Sequence, residues 1–258
     1  MLVCGIDSGA RATKVVLLDD AAGVVASAEL PTGASPERAS AEALSRALAA
    51  AGESRKAISV VTATGYGRSG VDADARLTEI TCHARGAAAF LPGVRLVVDV
   101  GGQDSKFIAL DPSGEVEDFA MNDRCAAGTG RFLEVMSAIL GVDVAALSDL
   151  ASKAANPAPI SSLCVVFTES EVVSLIARGA RPADIAAGVL KAMAVRMRSV
   201  MGHVVPREPA VFVGGVARNA SFAAALGAQV GVGFRVPPDP HLNGAYGAAL
   251  FSLENAAQ

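Results

Sequence analysis

The sequence predicts an α/β fold of two lobes, each opening on a β-hairpin. Three observations lead there: an internal duplication, an alternation of strand and helix signals, and the absence of a low-complexity linker. Residues 2–7, "LVCGID", form an apolar run ending in Asp, followed by the turn "SGARATK" and a second apolar run, "VVLLDD". Residues 96–111, "LVVDVGGQDSKFIALD", repeat the design. In one register Asp7 falls on Asp99, Gly9 on Gly101, Thr13 on Ser105, Lys14 on Lys106 and Asp19 on Asp111. Each copy reads as strand, tight glycine turn, strand.

The remaining elements follow in order. "SPERASAEALSRALAAAG" is a helix with Ser35 as N-cap, Pro36 at the first helical position and Gly52 as its stop. "AISVVTATGYGR" is a strand entering a glycine loop. "TESEVVSLIARG" predicts a helix opened by a capping box, Thr168 with Glu171, and stopped at Gly179. "RPADIAAGVLKAMAVRMRSVMGHV" is a long helix with Pro182 near its start. "PAVFVGGVARN" is a buried strand, a Gly-Gly turn and a helix start. The boundary is expected near residues 90–96, "FLPGVRL", giving lobe I as 1–92 and lobe II as 93–258 around a cleft. A return of the C-terminal helix to lobe I is left open.

Composition narrows the function classes. At 258 residues the chain is long enough for two modest lobes with real cores. Its net charge of −4 argues against nucleic acid as the main partner, because phosphate binding needs a basic face. The N-terminus "MLVCGID" reads as a strand, not a signal peptide, and no apolar stretch reaches a bilayer span, so the cytoplasm is expected. The 4 cysteines are too few for a disulfide framework, so each is judged by its setting.

The glycine turns suit a nucleotide. Glycines let backbone N–H groups approach phosphate oxygens, and the hydroxyl and Lys add donors. Asp7 and Asp99 can hold Mg2+ through water, since that ion keeps much of its hydration shell. Two such turns facing each other would clamp a triphosphate. The third turn, at Gly214 and Gly215, would let a flat adenosine lie against the backbone. Any one turn, taken alone, is equally a plain β-turn. Neither a Walker A loop nor a Rossmann fingerprint is present.

"GIDSGARATK", "VVDVGGQDSK" and "VFVGGVARN" resemble the phosphate and adenosine motifs of the actin, sugar-kinase and heat-shock chaperone ATPase superfamily. That resemblance implies two ribonuclease-H-like lobes around ATP and Mg2+. It implies nucleotide contacts at Ser8, Gly9, Ala10, Thr13 and Lys14, and at Gly101 and Gly102. Gly214, Gly215, Val216 and Asn219 would hold the adenosine side. Asp7 and Asp99 would order Mg2+ and its water, and either Gln103 or Asp104 would handle the attacking water.

The cysteines divide. Cys4 sits inside a strand and Cys82 in a helix beside His83; both read as buried thiols. Cys125, in "MNDRCAAGTGRFLEV", and Cys164, in "ISSLCVVFTESE", each lie near a helix N-terminus. Exposed N–H groups and the helix dipole there favour a thiolate or an anionic cluster. One chain offers two such ligands and a homodimer four, against the alternative of structural thiols.

"NDRCAAGTGRFLEVM", "ISSLCVVFTESEVVS", "ATGYGR", "CHARGA" and "NGAYGAAL" resemble the ATP-dependent activators of 2-hydroxyacyl-CoA dehydratases and the related ATPase subunits of benzoyl-CoA reductase. The likeness runs over nearly the whole chain; Leu163, beside Cys164, is a variation that touches nothing catalytic. It implies a homodimer sharing one 4Fe-4S cluster on Cys125 and Cys164 of both subunits, with Thr129, Gly130 and Gly244 near the nucleotide. It further implies ATP-driven single-electron transfer from a ferredoxin or flavodoxin to an iron–sulfur dehydratase or reductase. Activator and reductase subunit stay open at this point. The alternatives from other classes are a sugar kinase, which has no use for paired cysteines at helix starts, and a chaperone-like ATP module, for which no extra peptide-binding domain is evident.

Overall fold

The structure is a computed structural model and describes residues 1–161 and 164–257. Leu163 therefore lies outside the described residues. The chain divides into two units: Met1–Gly93, Pro112–Val116 and His241–Gln258 form unit 1, and Val94–Asp111 with Glu117–Pro240 forms unit 2.

In unit 1, β1 (Leu2–Ser8), β2 (Ala12–Leu18) and β3 (Val24–Pro31) make an antiparallel meander. Helix α1 (Pro36–Ala51) follows, and its predicted signals are used: the Ser35 hydroxyl accepts from Arg38 N–H, and Gly52 closes it at φ +71°. Strand β4 (Ile58–Thr64) then pairs parallel with β1, and the short β5 (Ala75–Arg76) pairs with β4. Helix α2 runs over Glu79–Phe90.

In unit 2 the same sequence of events recurs. Strands β6 (Leu96–Val100), β7 (Ser105–Leu110) and β8 (Val116–Asn122) lead to α3 (Gly130–Ile139), α4 (Leu147–Ser152), α5 (Val165–Ala177) and α6 (Pro182–Met201). Then come β9 (Ala210–Val213), α7 (Ala220–Val230) and β10 (Phe234–Arg235). Helix α8 (Asn243–Ala256) belongs to unit 1. The sheet orders are β3-β2-β1-β4-β5 and β8-β7-β6-β9-β10, so the duplication seen in the hairpins extends to whole sheets. The fold is α/β, with two mixed sheets of like topology.

Strand β1 shows why its sequence is apolar as far as Ile6. Leu2, Cys4 and Ile6 pack with Ala43, Ala47 and Leu48 of α1. Val3, with Val16 and Leu18 of β2, packs with Ala245, Ala249 and Leu250 of α8. Both faces are covered, so alternation gives way to a continuous hydrophobic run. Gly5 is where α8 lies on β1: a Cβ there would run into the carbonyl of Ala245. The core of unit 2 joins Leu96, Val98 and Val100 to α3, α6 and α7 through Phe132, Met193 and Phe222. Among the described residues no single helix is long and apolar enough to cross a membrane.

One helix start differs from expectation. Thr168 and Glu171 do not form a capping box, because α5 begins at Val165 with Cys164 as its N-cap residue. The Thr168 hydroxyl, buried within the helix, instead donates back to Cys164 O at 2.9 Å. Glu171 accepts from Ser161 N–H at 3.0 Å. Hydroxyls satisfy themselves on the preceding turn as readily as at a cap, so the spacing alone did not locate the start.

Candidate nucleotide site and cysteine pair

The duplicated Asp and Lys stand directly opposite in their ladders: Asp7 pairs with Lys14 and Asp99 with Lys106. In an antiparallel pair such positions share a face. Lys14 Nζ lies 3.1 Å from Asp7 Oδ2, and Lys106 Nζ lies 3.2 Å from Asp99 Oδ2. Both lysines are thus bound to the carboxylates rather than standing alone in the turns. Lys106, only 2% exposed, also reaches Asp104 Oδ1 at 2.9 Å, which compensates a charge too costly to bury alone.

A second shared device was not read from the sequence. Gly65, after β4, has φ +95°, and a Cβ on it would lie 2.7 Å from Asp7 Oδ1. Gly214, after β9, has φ +87°, and its Cβ would lie 2.6 Å from Asp99 Oδ1. Only glycine takes this backbone conformation without strain and leaves the carboxylate room. The signal was present in "TATG" and "VFVG", each following a strand parallel to a hairpin's first strand.

Unit 2 carries a partly open cavity of about 370 Å³. Its wall brings together the turn at Gly101 and Gly102, Gly130 at the start of α3, and Gly215, Val216 and Asn219 after β9. The turn and the helix start are tied by Gly130 N–H to Gly101 O, 2.8 Å, and Arg131 N–H to Gly102 O, 3.0 Å. A Cβ on Gly130 would sit 3.1 Å from Gly101 O. Leu133 and Glu134 of α3, Val144, Ala145 and Arg218 complete the wall; the glycine motifs alone did not point to them. Asn219 caps α7 by accepting from Phe222 N–H at 2.8 Å. Its other polar atom, Nδ2, is buried and has no hydrogen-bond partner among the described residues. An orphaned donor on a cavity wall suits a ligand with acceptor atoms, as a purine or ribose has.

The other residues expected at the nucleotide have these surroundings. Thr13 is fully buried and its hydroxyl meets that of Thr32 at 2.9 Å, which in turn donates to Gly9 O. Ser8 is also buried; its carbonyl accepts from Gly67 N–H, and its hydroxyl accepts from Ser40 Oγ at 3.4 Å. The Thr129 hydroxyl donates to Ala126 O. These hydroxyls brace their own loops. Gly9 and Ala10 remain at the β1–β2 turn, Ala10 exposed, and Gln103 is exposed in the β6–β7 turn. Gly244 lies at the start of α8 against His83 and Asp7.

The cysteines separate as their settings suggest. Burial pushes the thiols of Cys4 and Cys82 up to about 12 from an ordinary 9.0. Cys125 is half-buried and Cys164 exposed, and both are free. Cys164 is the N-cap residue of α5. Cys125 precedes a 3-10 turn, Ala126–Gly128, and α3 starts only at Gly130. Asn122, overlooked in the sequence, clamps it: the Asn122 amide donates to Cys125 O at 2.7 Å and accepts from Cys125 N–H at 3.1 Å. Among the described residues no group of three or more His, Cys, Asp or Glu could hold a metal within one chain.

Comparison with known proteins places this geometry. The activator of lactoyl-CoA dehydratase from Anaerotignum propionicum is 41% identical, covering 99% of this chain and 99% of that protein. Among solved structures, the activator of the 2-hydroxyisocaproyl-CoA dehydratase from Clostridium difficile with bound ADPNP is similar at TM-score 0.95 and 40% identity, covering 100% of this chain and 96% of that one. The Acidaminococcus fermentans (R)-2-hydroxyglutaryl-CoA dehydratase component A is similar at TM-score 0.96 and 39% identity, with 100% of both chains covered. The family model matches residues 4–252, and the chain belongs to the BadF/BadG/BcrA/BcrD ATPase family.

Proposed function

We propose that this protein is the ATP-hydrolysing activator of a 2-hydroxyacyl-CoA dehydratase, passing it single low-potential electrons. The observation that carries the reading is the division of the cysteines: two are buried, while Cys125 and Cys164 are accessible at the starts of helical segments. Four ligands then require a homodimer, with Cys125 and Cys164 of each chain holding one shared 4Fe-4S cluster. The whole-length likeness to dehydratase activators supports the same assignment.

When bound, the cluster supplies a one-electron carrier and Mg2+ offsets phosphate charge. The chain's own residues bind and orient. In each unit the strand-end carboxylate, Asp7 or Asp99, is the group that would order Mg2+ through water. The unit 2 cavity takes the nucleoside, with Asn219 Nδ2 donating to it. Asp104 is committed to Lys106, whereas the Gln103 amide is exposed and can both donate and accept, so Gln103 orients the attacking water. The electron donor is a ferredoxin or flavodoxin and the acceptor an iron–sulfur dehydratase. The reaction runs in the cytoplasm, without nucleic acid or membrane.

Anaerobic reconstitution with iron and sulfide tests the reading. About four irons per dimer are expected, lost in Cys125→Ser and in Cys164→Ser. Asp99→Asn should abolish hydrolysis and keep the iron. A dimer with full ATPase activity and no iron under strict anaerobiosis would overturn the assignment.

A further inference from the structure

Glu171, the glutamate of the expected capping box, has a use beyond its own helix. It stands about two turns into α5, the helix that Cys164 caps. Its carboxylate engages Ser161, which precedes that cysteine by three residues. Oε1 accepts from Ser161 N–H at 3.0 Å and from the Ser161 hydroxyl at 3.1 Å, and Oε2 accepts from the same N–H at 3.2 Å. Both donors of one residue are thus tied to one side chain of α5. Ile160, just before, packs on the core of unit 2.

On its other side Cys164 is held by the helix. Its carbonyl oxygen accepts from Thr168 N–H at 2.8 Å and from the buried Thr168 hydroxyl at 2.9 Å. The cysteine itself is exposed, so packing contributes little to its place. Its backbone anchors therefore decide where the thiol sits: Thr168 after it, and the Glu171–Ser161 tie before it. Cys125 is fixed by another device, with Asn122 gripping its own N–H and carbonyl.

We propose that Glu171 is a positioning residue for Cys164: by holding Ser161 against α5, it fixes the backbone that presents the thiol. The inference rests on the reading of Cys164 as a cluster ligand. Neighbours that orient a metal ligand govern how well the metal is kept, and losing one costs about 10–100-fold. Glu171 does for Cys164 what Asn122 does for Cys125, from the helix instead of from the preceding strand.

Paired substitutions in the full-length protein test this with and without iron. In iron-free protein, Glu171→Ala is expected to speed hydrogen exchange at the first turn of α5, where the Thr168 amide reports, about tenfold at an unchanged Tm. After anaerobic reconstitution the same variant should lose iron to a chelator about tenfold faster than wild type, and broaden the electron-spin-resonance signal of the reduced protein. Glu171→Gln should recover most of each effect, because one amide oxygen can accept both bonds that Oε1 accepts. Ser161→Ala keeps the N–H and should change each rate about threefold; added to Glu171→Ala it should change nothing further. That cycle isolates the pair from every other contact of Glu171, and Ser161→Ala alone gives the answer should Glu171→Ala fail to fold. Wild-type exchange and iron loss in Glu171→Ala, a Gln variant no better than the Ala variant, or additive losses in the double variant would overturn the proposal. Wild-type protein that takes up no iron under strict anaerobiosis would sink the ligand reading, and the positioning role with it, even where the exchange rates behave as expected.

Discussion

Asn219 carries two duties on one amide. Its Oδ1 holds the first turn of α7, and its Nδ2 is buried beside the cavity with no hydrogen-bond partner among the described residues. A buried donor left unmade costs about 1–3 kcal/mol, so the site is organised around an acceptor that arrives with the ligand. Asn219→Asp separates the duties. It keeps the cap, and a carboxylate at a helix N-terminus is favourable, but the donor becomes a negatively charged acceptor. ADP affinity is expected to fall about tenfold or more, equivalent to about 1.4 kcal/mol, with an unchanged or slightly raised Tm. Calorimetric titration beside a thermal melt measures both; unchanged affinity would remove Asn219 from the nucleotide contacts. At this scale the sequence identified residue types better than their partners. "GGVARN" marked Asn219, but nothing in it told the orphaned nitrogen from the capping oxygen. Lys14 and Lys106 stood out in the sequence as cations beside glycine turns, but not as partners of an Asp; the ladder seats each against its own carboxylate. That pairing depends on antiparallel register, which a single strand does not display.

At the scale of the element, the two accessible cysteines sit at differently built junctions. Cys164 caps α5 directly. Cys125 is separated from α3 by a 3-10 turn, and its backbone is gripped by Asn122 at the end of β8. Asn122 is itself 8% exposed, and replacing it takes the amide partner from both the N–H and the carbonyl of Cys125. Asn122→Ala should cost about 1–3 kcal/mol in denaturant unfolding. It should also lower iron retained after reconstitution, because the thiol then loses its fixed carrier. A variant with wild-type stability would show that water replaces the amide. The helix starts illustrate what spacing conveys. Ser35-Pro36 located α1 because proline is confined to the first turn. Thr168 and Glu171 did not locate α5, because threonine serves equally inside a helix by bonding backward to Cys164.

The molecule as a whole is two copies of one plan, and the copying was legible where chemistry constrains it. Asp, Gly and Lys recur at the hairpins because both sheets place a carboxylate at a strand end. The rest of the repeat is harder to read, since buried strands and helices constrain chiefly volume and polarity; Gly65 and Gly214 are visible in "TATG" and "VFVG" only once β4 and β9 are known to be equivalent strands. The units nonetheless differ in one titratable respect. Both inaccessible thiols, Cys4 on β1 and Cys82 on α2, belong to unit 1, and both accessible ones to unit 2. At pH 8 under anaerobic conditions an alkylating agent should therefore label Cys125 and Cys164 in iron-free native protein, and all 4 cysteines after denaturation. The same burial sets the response to alkali. Above pH 9 an unfolded chain releases thiol protons that the native unit 1 keeps until about 12, so the native state binds more protons and stability falls as pH rises. Each thiol contributes about 1.4 kcal/mol per pH unit across that window. Hydrogen exchange should show unit 1 opening before unit 2 between about pH 9 and 11. Replacing Cys82 with Ala should flatten the alkaline slope by one thiol's share, whatever the cavity costs at neutral pH; an unaltered slope would show that other groups govern it.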